Sequence, residues 1–76
     1  MKPQYMVHMA NQIAQYFAAY PREEAITGIA DHISKFWERR MRAQLIEYVD
    51  HGAAGLHALA VEAVRRLSSV QTEPRV

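Results

Sequence analysis

The sequence predicts an all-α fold, a small compact bundle of three to four short helices, and three observations carry that prediction. Apolar residues recur at steps of three and four along most of the chain, the period of one helical face. No stretch alternates apolar and polar residues as a half-buried strand does, and no Asn-Gly or Asp-Gly turn is present. Helix-stopping residues punctuate the pattern at Pro21 and at His51-Gly52. The 76 residues make a single domain, expected over residues 1–67, with residues 68–76 as a disordered, flexible polar tail.

The first helix is expected from about Gln4 to Tyr20, with Met6, Met9, Ile13, Tyr16, Phe17 and Tyr20 facing inward. Ala10, Ala14 and Ala18 flank that stripe, and His8, Asn11, Gln12 and Gln15 occupy the other side. Pro21 ends this helix and opens the second, where Glu23 and Glu24 sit in the first turn and favour the helix dipole. Ile26, Ile29, Ile33 and then Phe36 or Trp37 form the second stripe. Gly28, in mid-helix, costs about 1 kcal/mol relative to Ala and so marks a close crossing with another helix.

A bend is expected near Trp37–Glu38, after which Met41, Leu45, Tyr48 and Val49 give a third inner face. Arg39, Arg42 and Asp50 lie outside, and Glu38 and Arg42 have the i,i+4 spacing of an exposed ion pair. His51-Gly52 supplies a helix stop with a left-handed cap. Leu56, Leu59, Ala63, Val64 and Leu67 form the stripe of a fourth helix, with Glu62 and Arg66 outside.

Size and composition narrow the function. A chain this short buries roughly 60% of its unfolded surface and is marginally stable alone. Half of its residues are apolar, yet twelve of those are Ala, which bury little each. Without Cys there is no disulfide to compensate, so a partner chain, or a second copy in the isolated protein, is the expected source of extra stability. The lack of Cys also removes thiolate-ligated iron–sulfur clusters and a Cys nucleophile, and it suits a reducing cytoplasm. No apolar run has the length of a membrane span or a signal core. The net charge of +1 points to neither nucleic acid nor an anionic membrane. The chain reads as cytoplasmic.

No catalytic or metal-binding pattern stands out. His8, His32, His51 and His57 form no helical ligand pair, and His51 and His57 are expected in surface or capping roles. The glycines Gly28, Gly52 and Gly55 are not grouped into a phosphate-binding loop. No cofactor-binding, metal or catalytic residue is assigned to this chain.

The rarest residues gather in one stretch, Asp31 to Met41, which holds the only Trp, one of two Phe, a His and several cations. Adjacent helical residues point about 100° apart, so Phe36 and Trp37 cannot both occupy the centre of one small core. One of the two faces a partner or a second layer. Arg beside an exposed aromatic is typical of protein–protein hot spots. Lys35, Arg39, Arg40 and Arg42 also form the strongest charge feature, though Glu38 interrupts it.

Met9-Ala10-Asn11-Gln12-Ile13, then Pro21, Glu24-Ala25, Gly28, Ala30-Asp31-His32, and finally Phe36-Trp37 with Arg40-Met41-Arg42 resemble the delta subunit of NAD-dependent, molybdenum-containing formate dehydrogenase. The resemblance covers roughly residues 5 to 67. Family members often carry Pro directly before the Arg-Met pair, where this chain has Arg39. That substitution leaves the second and third helices joined by a softer bend or continuous as one kinked helix.

The resemblance implies a non-catalytic accessory subunit of a cytoplasmic complex that oxidises formate and reduces NAD+. The implied partner is the molybdenum-bearing catalytic subunit, whose assembly, cofactor loading or stability it would support. The molybdenum cofactor, iron–sulfur clusters and FMN are implied in the partner subunits. Docking is expected through Trp37 and Arg40, with Asn11, Gln12 and His32 as further contacts. The alternative is a small helical DNA-binding or regulatory protein that uses the Arg39–Arg42 cluster.

Overall fold

Proline chemistry sets the first two helix starts. The computed structural model describes residues 2–72, which form four helices: α1 (Pro3–Phe17), α2 (Arg22–Phe36), α3 (Arg39–Asp50) and α4 (Ala58–Thr72). Pro3 occupies the first turn of α1, where a missing N–H costs nothing because that donor has no intrahelical acceptor. Pro21 is the N-cap of α2, and its carbonyl accepts the Ala25 N–H at 2.8 Å.

α1 ends at Phe17, three residues short of the expected Tyr20. Ala18, Ala19 and Tyr20 turn the chain instead, with the Tyr20 N–H donating to the Phe17 carbonyl at 3.0 Å. The residue before a proline is forced out of helical geometry, and the turn absorbs that constraint over three positions.

α2 and α3 are separate helices. Trp37 adopts extended backbone (φ −90°, ψ 136°), and so does Glu38 (φ −70°, ψ 160°), before α3 opens at Arg39. The break needs no proline because Arg42 crosses it. The Arg42 guanidinium donates to the carbonyls of Ser34 and Trp37, satisfying orphan acceptors at the end of α2. This replaces the expected Glu38–Arg42 ion pair.

α3 stops as the sequence indicates. The Gly52 N–H donates to the Val49 carbonyl and the Ala53 N–H to the Tyr48 carbonyl, the paired bonds of a Schellman cap. Gly52 takes φ +112°, which a side chain would oppose. α4 begins two residues later than Leu56, with His57 as its cap, and its backbone continues to Thr72, five residues past Leu67. Of the tail expected at residues 68–76, residues 73–76 lie outside the described residues.

The core is a single apolar cluster drawn from all four helices. The α2–α4 interface is the most extensive. Ile26, Ile29 and Ile33 of α2, together with Ala60, Ala63 and Val64 of α4, are fully buried, and the alanines bring the helices close. The Cα radius of gyration, 11.6 Å, is that of a compact chain of this length, about 11 Å.

Two inward faces differ from the sequence expectation. In α1 the buried line is Met6, Ala10 and Ala14, while Met9, Ile13 and Phe17 are half-buried and Tyr16 and Tyr20 are exposed. The helix is rotated so that its small side chains meet the core and its large ones lie along the flank. At the end of α2, Trp37 is buried (4% exposed) and Phe36 is 73% exposed. The extended backbone at Trp37 turns its indole under the bundle, so the Phe36–Trp37 choice falls to Trp37 as core.

Candidate functional site

The exposed aromatic residues are not scattered. At the end of α1 and in the turn after it, Tyr16, Phe17 and Tyr20 form a contiguous ring cluster, with centroids 5.0 Å apart for Tyr16–Phe17 and 5.6 Å for Phe17–Tyr20. Facing them on α2, His32 packs against Phe36 with ring centroids 4.9 Å apart. Between the two helices lies an open hollow of about 360 Å³ lined by Gln12, Ile13, Tyr16, Phe17 and His32. A second hollow of about 420 Å³ shares the Phe17 wall and continues past Tyr20, Gly28, Glu24 and Asp31. Together they make one groove along the α1–α2 face.

Gly28 shapes this groove. A Cβ there would stand 2.5 Å from Cε1 of Phe17 and 2.7 Å from its Cδ1, so the glycine leaves the space that the ring occupies. Where the sequence predicts a close helix crossing at Gly28, the space is taken by the Phe17 side chain of α1. Phe17 in turn separates the two hollows.

Asn11 points elsewhere. Its Nδ2 donates to the Gly55 carbonyl at 2.9 Å, and its Oδ1 accepts the His57 N–H at 2.8 Å. One side-chain amide thus satisfies a loop acceptor and a helix-entry donor at once, and fastens the α3–α4 connection to α1. His57 completes the entry: its Nδ1 accepts the Leu59 N–H at 3.1 Å and its carbonyl accepts the Val61 N–H. At the other end of the connection, the Tyr48 hydroxyl donates to the Ala54 carbonyl at 2.6 Å, and the His51 ring lies 2.8 Å from the Glu47 carbonyl. His51 and His57 have the capping roles that their spacing suggested.

Of the residues expected to contact a partner, Gln12 and His32 come together in the groove lining. Trp37 does not belong with them, because it is buried in the core. Phe36 holds the exposed position in its place. Arg40 is exposed but lines a separate, shallow depression with Glu38, Arg39 and Ala43. The basic cluster is not a continuous stripe, since Arg42 turns inward to the α2 carbonyls. Tyr16 and Tyr20, expected inward, are exposed because the Ala10–Ala14 step of α1 takes the core; Phe36 is one of the two candidates for the outward position.

Charge is arranged simply. Nη2 of Arg66 on α4 donates to both carboxylate oxygens of Glu23 at 2.8 Å, joining α4 to the start of α2. The hydrogen bonds from Arg66, then its charge, hold the Glu23 carboxyl below its ordinary range, and Arg22 adds a smaller pull in the same direction against slight desolvation. Asp31 pairs with Lys35 at 3.2 Å on the surface. Glu24, on the groove rim, has no hydrogen-bond or ion-pair partner among the described residues.

The chain has no cysteine to ligate an iron–sulfur cluster, and the described residues bring no three His, Asp or Glu side chains into a metal-holding group. What the arrangement offers chemically is a wide, solvent-open, aromatic-walled groove with an acidic rim, suited to contact with another chain.

No curated protein and no solved structure matches the chain. The model of a protein family, NADH-dependent formate dehydrogenase delta subunit FdsD, matches residues 5–64, which run from the first turn of α1 through α2, α3 and the connection into the first half of α4. The chain belongs to the family of NADH-dependent formate dehydrogenase delta subunits.

Proposed function

We propose that this chain is a non-catalytic accessory subunit that binds the molybdenum-bearing catalytic subunit of a cytoplasmic NAD-dependent formate dehydrogenase. In that role it supports the assembly, cofactor loading or stability of its partner. The molybdenum cofactor, iron–sulfur clusters and FMN reside in the partner subunits in this reading. Family membership supports it, and one structural observation carries it to a surface: the aromatic groove between α1 and α2. Single exposed apolar side chains are ordinary on a small protein. Tyr16, 67% exposed within the Tyr16–Phe17–Tyr20 cluster, and Phe36, 73% exposed against His32, support reading this face as an interaction site. Each such ring, once covered, contributes about 1.5–3 kcal/mol.

The test is co-purification of the tagged chain with the catalytic subunit. Tyr16→Ala and Phe36→Ala touch no buried core position, so helix content and melting are expected to hold. The recovered catalytic subunit is expected to fall at least about tenfold for the double variant, the effect of losing two interface anchors. Undiminished recovery with an intact fold would remove the groove from the account. A catalytic subunit that never co-purifies with the unaltered chain would remove the proposed role.

A further inference from the structure

We infer that the α1–α2 groove seats a basic amphipathic segment of the partner, with an apolar anchor in the Ile13–Phe17 hollow and an Arg or Lys against the acidic rim; this rests on the accessory-subunit reading above. The two hollows share one wall but differ in character. The first, lined by Ile13, Tyr16 and Phe17 with Gln12 and His32, is mostly apolar and takes a Leu-sized or aromatic anchor. The second is lined by Glu24 and Asp31 of α2 together with the rings of Phe17 and Tyr20. A carboxylate beside an aromatic face is the pairing that receives a guanidinium, through a charge-assisted hydrogen bond and a cation–π contact.

Three details point to a cation rather than to a second apolar anchor. Glu24 has no partner among the described residues, so its charge is available. Glu23, one residue earlier, is not available, because Arg66 already holds both of its oxygens. The Asp31–Lys35 pair is an exposed i,i+4 contact, with side chains 58% and 66% accessible, and such pairs are weak enough for an incoming guanidinium to displace. Glu24 and Asp31 of α2 thus both lie on the groove, while the exposed Arg39 and Arg40 stand at the start of α3, off its lining.

The experiment measures binding of the full chain to the purified catalytic subunit across a salt series. Three forms are compared: the unaltered chain, the isosteric double variant Glu24→Gln with Asp31→Asn, and the charge reversal Glu24→Lys with Asp31→Lys. The isosteric pair keeps the shape of both side chains, so it folds even if the reversal does not, and helix content and melting are recorded for each. The reversal is expected to weaken binding roughly tenfold or more, and the isosteric pair less, with a flatter salt dependence than the unaltered chain. If the unaltered chain binds and both variants stay within about twofold at every salt concentration, the basic segment is excluded while docking stands. If the unaltered chain does not bind the catalytic subunit, the accessory-subunit reading fails and takes this inference with it. If the isolated chain dimerises in light scattering and the isosteric pair dissociates the dimer, the groove belongs to a second copy and the inference is overturned.

Discussion

The Arg42 guanidinium reaches back across the α2–α3 break and donates to the Trp37 carbonyl at 2.5 Å and the Ser34 carbonyl at 3.3 Å. A side chain from the next helix thereby caps the one before it. Arg42→Ala leaves those acceptors without protein donors and is expected to cost about 1–2 kcal/mol, because hydrogen bonds to a charged donor contribute more than neutral ones. For a domain of this size that is a fall of roughly 5–15 °C in melting temperature. Glu38→Gln is expected to change little. Equal losses in the two variants would return Arg42 to an ion pair with Glu38.

Asn11 offers a sharper test, since its amide uses a donor and an acceptor at once. Asn11→Ala is expected to lower stability in urea unfolding by about 1–3 kcal/mol. Faster amide hydrogen exchange is expected across residues 52–57, where the connection is released. Asn11→Asp keeps the acceptor for the His57 N–H but sets a carboxylate oxygen against the Gly55 carbonyl, so it is not expected to rescue. An Asp variant as stable as the parent would show that the Gly55 bond contributes nothing.

Gly28 and Phe17 form a steric pair that a double-mutant cycle can measure. Gly28→Ala gains about 1 kcal/mol of helix propensity but drives a methyl into the Phe17 ring. The two effects oppose, and the single variant is expected to show little or no net gain. In a Phe17→Ala background the clash is gone, and Gly28→Ala is expected to stabilise by about 1 kcal/mol. A full gain from Gly28→Ala alone would mean that the ring moves aside freely and does not define the groove.

The Glu23–Arg66 bridge makes one pH-dependent contribution. The folded-state carboxyl is held below its ordinary value of 4.5, so this contribution is complete above that value. It disappears as the pH falls through the lowered value beneath it. Glu23→Gln is therefore expected to melt below the parent at neutral pH and to converge with it in acid. Added salt should also shrink the difference, because both side chains are exposed. A difference that persists unchanged into strong acid would assign the effect to packing.

The helices were legible in the sequence wherever large aliphatic residues carried the period. Ile26, Ile29 and Ile33 are buried as their spacing requires, and His51-Gly52 stops α3 with the cap its residue types indicate. The failures have a common physical origin in side-chain size. Along α1 the Tyr and Met residues dominate any hydrophobic count, but close approach to its neighbours selects Ala10 and Ala14, and the larger rings are left outside. Periodicity also says nothing about a residue that has left the helix. Trp37 sits in extended backbone, so its direction follows from two dihedral angles that no helical wheel describes. For the candidate site, Gln12 and His32 fall together in the hollow lining because polar residues beside an apolar stripe mark its edge. The acidic rim was not found, because Glu24 and Asp31 looked like ordinary solvated charges until the fold placed them in one lining with Phe17 and Tyr20.

The inward position of Trp37 has an optical consequence. It is the only indole in the chain, it is shielded from solvent, and it does not line the groove. Its emission is therefore a gauge of whether the bundle is folded, blue-shifted while packed and red-shifted on unfolding, and indifferent to what occupies the α1–α2 face. Tyr16 and Tyr20 border that face, and their emission is expected to change when it is covered. Folding and docking can thus be followed in one cuvette through two different chromophores, with no label attached to either process.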